Sequence, residues 1–550
     1  YFAYKRREAG SDWSTISVIE IDTGNELDEV LRWTRWGNIV WNAENTGFFF
    51  IRYPEPEEGQ QFLSPTTNPM IYFHRLGTAQ SEDQLVYRRP DEPEWSFFLQ
   101  RSDDNRFLVL SIHRGTDDQN QVFLRPVAAP LDGEWTALIE DFDNEFGFLG
   151  NLGNRLYFFT DLEAPTKRVV AMDVDRPGRD HLTEVIPTSE LTLARVSLLK
   201  EGFIASYMKD VLSQVKVFRL DGSLKSDVEL PGIGTARGFA GEQSDTETFY
   251  LFTSYTLPAT IYRYDMTTGE SEQVRAPQIK FDPSLYESRQ AFYESKDGTR
   301  VPIIVSHRKG LKRDGSHPTL LYGYGGFNNS LQPRFSVGYA VWMERGGVIA
   351  VPNLRGGGEY GEVWHLAGKK LNKQNVFDDF LAAAEWLIAE KYTSSEKLAI
   401  MGGSNGGLLV GAVMTQRPEL FGACLPAVGV MDMLRYHQFT AGHFWRDEYG
   451  SAEDPDEFRA LLAYSPYHNL RPGTHYPPTM VMTADTDDRV VPLHSFKFGA
   501  RLQHSQAGSA PTLLRVETRA GHGSGTPITK LIDTVADRWA FLWKNLGMVE

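Results

Sequence analysis

Ala399-Ile400-Met401-Gly402-Gly403-Ser404-Asn405-Gly406-Gly407-Leu408-Leu409 reads as a short apolar strand, a glycine-packed turn carrying one serine, and the start of an apolar helix. Gly402-x-Ser404-x-Gly406 has the spacing of a nucleophile elbow, a strained strand-to-helix turn that lifts a serine hydroxyl clear of the backbone. Side chains beside the serine would collide with the adjoining strand and helix, and the turn visits positive φ, so glycine is required there. The N-terminus of the helix faces the serine and favours the negative charge that develops in acyl transfer. The stretch points to a serine hydrolase.

Such a serine needs a base and an orienting acid, expected in the chain order Ser, Asp or Glu, then His, each after a strand. Downstream, the apolar run Pro478–Ala484 empties into Asp485-Thr-Asp-Asp-Arg-Val-Val-Pro492. A second strand, Pro511–Thr518, ends in Arg519-Ala-Gly-His-Gly-Ser-Gly525. His522, flanked by glycines that permit close backbone approach, is the expected general base. Three aspartates compete for the acid. Asp485 is placed to cap the turn and Asp488 to pair with Arg489; Asp487 is preferred, although spacing alone leaves the others open.

Upstream, the strand Thr319–Tyr322 runs into Gly323-Tyr-Gly-Gly-Phe327, a loop set to face the elbow. Loops at this position supply one oxyanion donor, the other being the backbone N–H after the nucleophile, here Asn405. Further strands at Gly347–Pro352 and Lys397–Ile400, with an amphipathic helix at Val376–Ala389, alternate in the manner of a parallel sheet covered on both faces. The expected fold of this half is the α/β-hydrolase arrangement.

The N-terminal half has another texture, with short alternating strands and little helical periodicity. Aromatic or apolar strands recur near Phe2, Phe48, Phe107, Leu156, Phe203 and Phe249, a spacing of 46 to 49 residues with one gap of 59. Repeats of this length built from short strands suggest β-propeller blades, with a pair of β-sandwiches as the alternative. Turns such as Asp22-Thr-Gly24 and Thr267-Thr-Gly269 suit the hairpins. The expected domains are 1–280 (propeller) and 281–550 (hydrolase), joined near Ala276–Tyr286, where Pro277 and Pro283 interrupt regular structure.

From about Tyr286 to Glu550 the chain resembles the catalytic domain of the prolyl oligopeptidase family of two-domain serine peptidases. The matching words include Leu321-Tyr-Gly-Tyr-Gly-Gly-Phe327, Leu354-Arg-Gly-Gly-Gly-Glu-Tyr-Gly361, Asn372-Lys-Gln-Asn375, Gly402-Gly-Ser-Asn-Gly-Gly407, Val430-Met-Asp-Met433, Thr483–Pro492 and Gly521-His-Gly523. The resemblance implies Ser404 as nucleophile, Asp487 as acid and His522 as base. It implies the Tyr324 hydroxyl as the loop's oxyanion donor beside the Asn405 amide. It sets Trp445 against a substrate proline, with Phe327, Val430, Tyr449 and Val490 lining the same pocket and Arg489 bonding a substrate carbonyl. Taken alone, the aromatics of His443–Tyr449, expected on an irregular segment, would be read as core.

The implied activity is hydrolysis of short peptides on the C-terminal side of proline, with a seven-bladed propeller over the site restricting substrate size. Alternatives are a related oligopeptidase or esterase with another preference, which for Arg or Lys would need acids at the pocket floor, or an inactive propeller scaffold. The chain departs from the family in showing six strand marks and in opening inside a strand, Tyr1–Tyr4. The expectation is therefore a propeller of the seven-bladed type without its first blade and a hydrolase domain without its N-terminal part, leaving an open seam and an uncovered apolar surface.

At 550 residues the chain is too long for one compact core. A net charge of −16 argues against a nucleic-acid partner, and no apolar run reaches the ~18 residues of a membrane span. The single cysteine, Cys424, is expected to pack as a small hydrophobe. The thirteen histidines show no H-E-x-x-H spacing, so neither a metal nor another cofactor is expected. The chain is expected to act as a monomer in the cytoplasm, with the periplasm as the alternative because a signal peptide would precede these residues.

Overall fold

Five of the six strand marks in the N-terminal half share one structural position. In the computed structural model, which describes residues 1–523 and 525–548, six antiparallel sheets follow one another among the described residues between Phe2 and Arg275. The first has three strands (Phe2–Arg7, Ser14–Ile19, Glu26–Thr34) and each of the other five has four, paired in chain order. Phe48, Phe107, Leu156, Phe203 and Phe249 all lie on the second strand of their sheet, and Phe2 opens the three-stranded one.

Second strands are flanked on both edges and covered on both faces, which is why their sequence is so apolar. Alternate residues face opposite neighbours. Phe48 and Phe50 pack back onto Ile16 and Val18 of the first sheet, while Phe49 and Ile51 pack forward onto Leu108 and Leu110 of the third. Tyr157 packs with Phe203, whereas Leu156 and Phe158 pack with Val109 and Val122. Ile204 continues the series toward Tyr250 and Phe252. Face-to-face stacking of successive sheets is propeller architecture.

After the linker, the chain enters one eight-stranded sheet. Its strands are β1 (Tyr286–Glu294), β2 (Arg300–Arg308), β3 (Thr319–Tyr322), β4 (Val348–Pro352), β5 (Leu398–Gly403), β6 (Ala423–Ala427), β7 (Thr479–Ala484) and β8 (Thr512–Glu517). The spatial order is β1-β2-β4-β3-β5-β6-β7-β8. β1 and β2 are antiparallel, β2 runs against β4, and every pairing from β4 to β8 is parallel. The longer helices are α1 (Val337–Glu344), α2 (Gln374–Ala389), α3 (Asn405–Gln416), α4 (Pro455–Tyr464), α5 (Leu493–Ser505) and α6 (Ile528–Asn545).

Parallel strands are buried on both faces, and the two-residue period divides their side chains between two cores. Val348, Ala350, Leu321, Leu398 and Ile400 face α2, α3 and α5. Ile349, Val351, Leu320, Ala399 and Met401 face α1 and α6. Cys424 is buried on β6. At the far edge, Leu513, Leu514, Ile528 and Ile532 leave apolar surface exposed on β8 and α6.

Register then places the functional loops. Tyr322 of β3 lies opposite Met401 of β5, so the Gly323–Phe327 loop leaves its strand beside the elbow. Ala484 of β7 lies opposite Glu517 of β8, so the loops carrying Asp487 and His522 emerge side by side at the same sheet end. Loops of the first three propeller sheets rest on this end. Thr116 N and Oγ1 donate to Phe444 O at 3.2 and 3.1 Å, and Trp36 meets Phe444 edge-on at 5.3 Å.

Candidate active site

Ser404 has φ 58° and ψ −120°, a strained conformation for a residue with a side chain. Its amide donates to Ala427 O at 2.9 Å, pinning the turn to β6. The glycines around it are demanded by contact. A Cβ on Gly402 would stand 2.3 Å from Gly406 O, and one on Gly407 would stand 2.4 Å from Ala427 O. Strand, turn and helix therefore close on each other with the serine left at the surface of the elbow.

Asp487 is 1% exposed. Its Oδ1 accepts from the amides of Arg489 and Val490 at 3.0 and 2.9 Å, and its Oδ2 lies 2.7 Å from His522 Nδ1. With Nδ1–H donating to the carboxylate, Nε2 is left as the basic nitrogen. Among the described residues no hydrogen bond joins Ser404 Oγ to His522. Asp485 lies outside this arrangement, its Oδ1 being 3.4 Å from Ala520 N.

Asp488 does not pair with its neighbour Arg489. It turns to the propeller, accepting from Ser11 Oγ at 2.6 Å and Asp12 N at 2.9 Å, with the buried Arg35 guanidinium at 3.5 Å. Arg489 instead donates through Nε and Nη2 to Asp12 at 2.8 and 2.7 Å. Neither Asp12 nor Arg35 carried any local sequence signal for this role, since their partners in the hydrolase half lie more than 450 positions away.

Tyr324 is half-buried, and burial, with Glu448 adding to it, pushes its phenol up to about 12, against the opposing pull of Arg489 and the Ser404 side chain. The hydroxyl remains a donor at any pH near neutral. Its backbone is fixed by Asn405, whose Nδ2 donates to Tyr324 O at 2.6 Å while its Oδ1 accepts from Tyr449 OH at 2.9 Å.

Trp445, Tyr449, Val430 and Val490 belong to one buried cluster, against which Phe327 packs. Phe327 meets Tyr449 edge-on at 5.4 Å, and Trp445 lies parallel to Tyr436 at 6.4 Å. The segment expected to be irregular is a 3-10 turn (Gly442–Trp445) running into one turn of α-helix (Arg446–Tyr449). Its two acids are both paired, Asp447 with Lys369 and Glu448 with Lys373 and His365. Burial would raise Glu448, but Lys373 and His365 outweigh it and hold the carboxyl at about 2. Among the described residues no three His, Cys, Asp or Glu side chains converge as a metal site.

Residues 1–277 match the description "Prolyl oligopeptidase, N-terminal beta-propeller domain", and residues 333–549 match "Prolyl oligopeptidase family". The chain belongs to the prolyl oligopeptidase family. Within it, the chain is 45% identical over 547 residues to a prolyl endopeptidase of Elizabethkingia meningoseptica, covering 99% of this chain and 77% of that protein. A prolyl endopeptidase structure studied for inter-domain dynamics in catalysis and specificity matches with a TM-score of 0.95 at 41% identity, covering 100% of this chain and 80% of that one. Prolyl oligopeptidase B of Galerina marginata, bound to a 35mer substrate, matches with a TM-score of 0.92 at 34% identity, covering 99% and 78%. The prolyl oligopeptidase fold thus accounts for both halves, propeller first and α/β-hydrolase second, and makes the chain a serine peptidase.

Proposed function

We propose that this chain is a serine endopeptidase that cleaves short peptides on the C-terminal side of proline. The observation that carries the reading is the 2.7 Å bond from His522 Nδ1 to Asp487 Oδ2, made at the sheet end that bears the Ser404 elbow. His522 Nε2 takes the Ser404 proton as the serine attacks the prolyl carbonyl, and Asp487 stabilises the imidazolium that forms. The Tyr324 hydroxyl and the Asn405 amide receive the oxyanion. His522 returns the proton to the leaving amine, and water then releases the acyl-enzyme.

A proline ring is flat and weakly polar, and the aromatic and aliphatic walls formed by Trp445, Phe327, Val430, Tyr449 and Val490 suit it. Asp447 and Glu448 are both held by cations, which disfavours a pocket for Arg or Lys. Arg489, steadied by Asp12, keeps further N–H groups for a substrate carbonyl.

The domains are 1–280 and 281–550, a division supported by the strand-free stretch between Arg275 and Tyr286. The chain is read as a monomer acting on short proline-containing peptides. Cytoplasmic residence is the compartment proposed, with the periplasm as the alternative. No helix among the described residues is long and apolar enough to cross a membrane.

The test is hydrolysis of matched chromogenic peptides ending in Pro, Arg or Ala, with the Ser404→Ala variant as blank. Cleavage after Pro that vanishes in the variant supports the reading. Cleavage after Arg overturns the proline pocket and spares the triad, and no cleavage of any of the three overturns both.

A further inference from the structure

The loop that presents Tyr324 is held in an unfavourable shape. Gly325 (φ 66°), Phe327 (φ 56°) and Asn328 (φ 52°) are all left-handed, and each non-glycine residue in that region costs roughly 1–2 kcal/mol. Such backbone persists only where its surroundings over-determine it. Two side chains seize its carbonyls: Asn405 Nδ2 takes Tyr324 O, and Lys373 Nζ takes Gly325 O at 3.0 Å.

Lys373 and Glu448 are 1% and 2% exposed, and they pair at 2.8 Å. The second oxygen of Glu448 lies 2.9 Å from His365 Nε2. The pair presses directly on the loop. A Cβ on Gly326 would stand 2.7 Å from Asn405 Nδ2 and 2.8 Å from both Glu448 Oε1 and Lys373 Nζ. A buried ion pair is a poor source of stability, because desolvating two charges offsets most of their attraction. Its placement on a carbonyl of this loop asks for another role.

We infer that the Lys373–Glu448 pair is a positioning element for the oxyanion loop, aiming the Tyr324 hydroxyl by holding the adjacent Gly325 carbonyl. The inference rests on the peptidase reading above. Glu448 adjoins Tyr449, which lines the proposed proline pocket and bonds the Asn405 side chain. The helix Arg446–Tyr449 therefore steadies both oxyanion donors, one through Lys373 and one through Asn405. Lys373 acts through Tyr324 and touches no reacting atom.

A double-mutant cycle on a prolyl chromogenic peptide tests this. Losing one oxyanion donor costs about 10²–10³ in kcat, so Tyr324→Phe should fall in that range, and Lys373→Met, which keeps the side-chain volume, should cost about 10–100-fold. KM should be little changed, and a peptide aldehyde ending in prolinal, whose hemiacetal oxyanion occupies the hole, should weaken in parallel with kcat. In the Tyr324→Phe background, Lys373→Met should have almost no further effect.

Multiplicative losses in the double variant, or a raised KM at unchanged kcat, would overturn the inference. So would a costly Tyr324→Phe beside a silent Lys373→Met, which leaves the oxyanion reading standing. A Tyr324→Phe variant with wild-type kcat would instead remove Tyr324 from the hole and the inference with it. Should Lys373→Met fail to fold, Glu448→Asp, which keeps the charge and shortens the reach, enters the same cycle with the same expected non-additivity.

Discussion

Arg489 and Asp12 are joined across the two domains by a two-pronged ion pair, Nε and Nη2 of the hydrolase arginine donating to the two oxygens of the propeller aspartate. Asp12 is almost fully buried and Arg489 about one-third exposed. Burial raises the Asp12 carboxyl, but Arg489, with Arg35 and Arg7, outweighs it and holds Asp12 below its ordinary value.

Asp12→Asn should leave Arg489 free to swing away from a bound peptide. A charge-assisted hydrogen bond contributes about 1.5–3 kcal/mol, so KM for prolyl peptides should rise roughly tenfold with a smaller change in kcat. Because the folded-state value of Asp12 is depressed, its stabilising contribution is present above the unfolded carboxylate pKa and is lost as pH falls through the folded one. Steady-state kinetics at neutral pH checks the first point, and acid unfolding of the two proteins checks the second.

Trp445→Ala should remove one wall of the proposed proline pocket. Burying a ring of this size is worth about 1.5–3 kcal/mol, so kcat/KM for prolyl peptides should fall about 10–100-fold. The preference for Pro over Ala should shrink with it. Trp445 also lies parallel to Tyr436, so Trp445→Phe serves as the control that keeps an aromatic there. Rates on paired Pro and Ala peptides decide the point.

His365 offers a pH signature. Burial lowers its pKa, but Glu362 and Glu448 overcome that and raise it to about 9. A raised folded value means stability that is fully present below the unfolded histidine pKa and lost as pH climbs through about 9. The Tm difference between wild type and His365→Asn should be widest below pH ~6.5 and close as pH passes 9. A gap that widens with rising pH would show the opposite linkage.

Arg355 is buried against Asp379, with Nη2 at 2.6 Å and Nε at 3.0 Å, and it also reaches Asp297 at 2.6 Å. Removing one partner of a buried pair costs about 3–5 kcal/mol, because the other charge is left uncompensated. Arg355→Met should therefore unfold at markedly lower urea concentration. The folded fraction should hydrolyse prolyl peptides at an unchanged rate, as measured by active-site titration.

What could be read from the sequence was local. The Gly402–Gly407 word announces its turn because Gly402, Gly406 and Gly407 each answer a close contact within a few residues or at an adjacent strand. Phe48, Phe107, Leu156 and Phe203 mark second strands because being covered on both faces imposes an apolar run. What could not be read was relational. The adjacency of Asp488 and Arg489 suggested a pair, yet both are claimed by Ser11, Asp12 and Arg35, whose positions follow only from packing one domain on the other. Lys373 stood inside Asn372-Lys-Gln-Asn375 with no hint of Glu448, 75 positions away.

The propeller segment around Gly10 touches the loops of both the proposed acid and the proposed base. Ala9 O accepts from Thr486 Oγ1 at 2.7 Å, and Gly10 and Gly521 approach so closely that a Cβ on either would strike the other's backbone. Each half has a core drawn mainly from its own residues, with Tyr255 and Trp36 of the propeller reaching into those of the hydrolase. The proposed catalyst has no such independence. It behaves as an assembly of two partners that happen to share one polypeptide, and parting them should silence it.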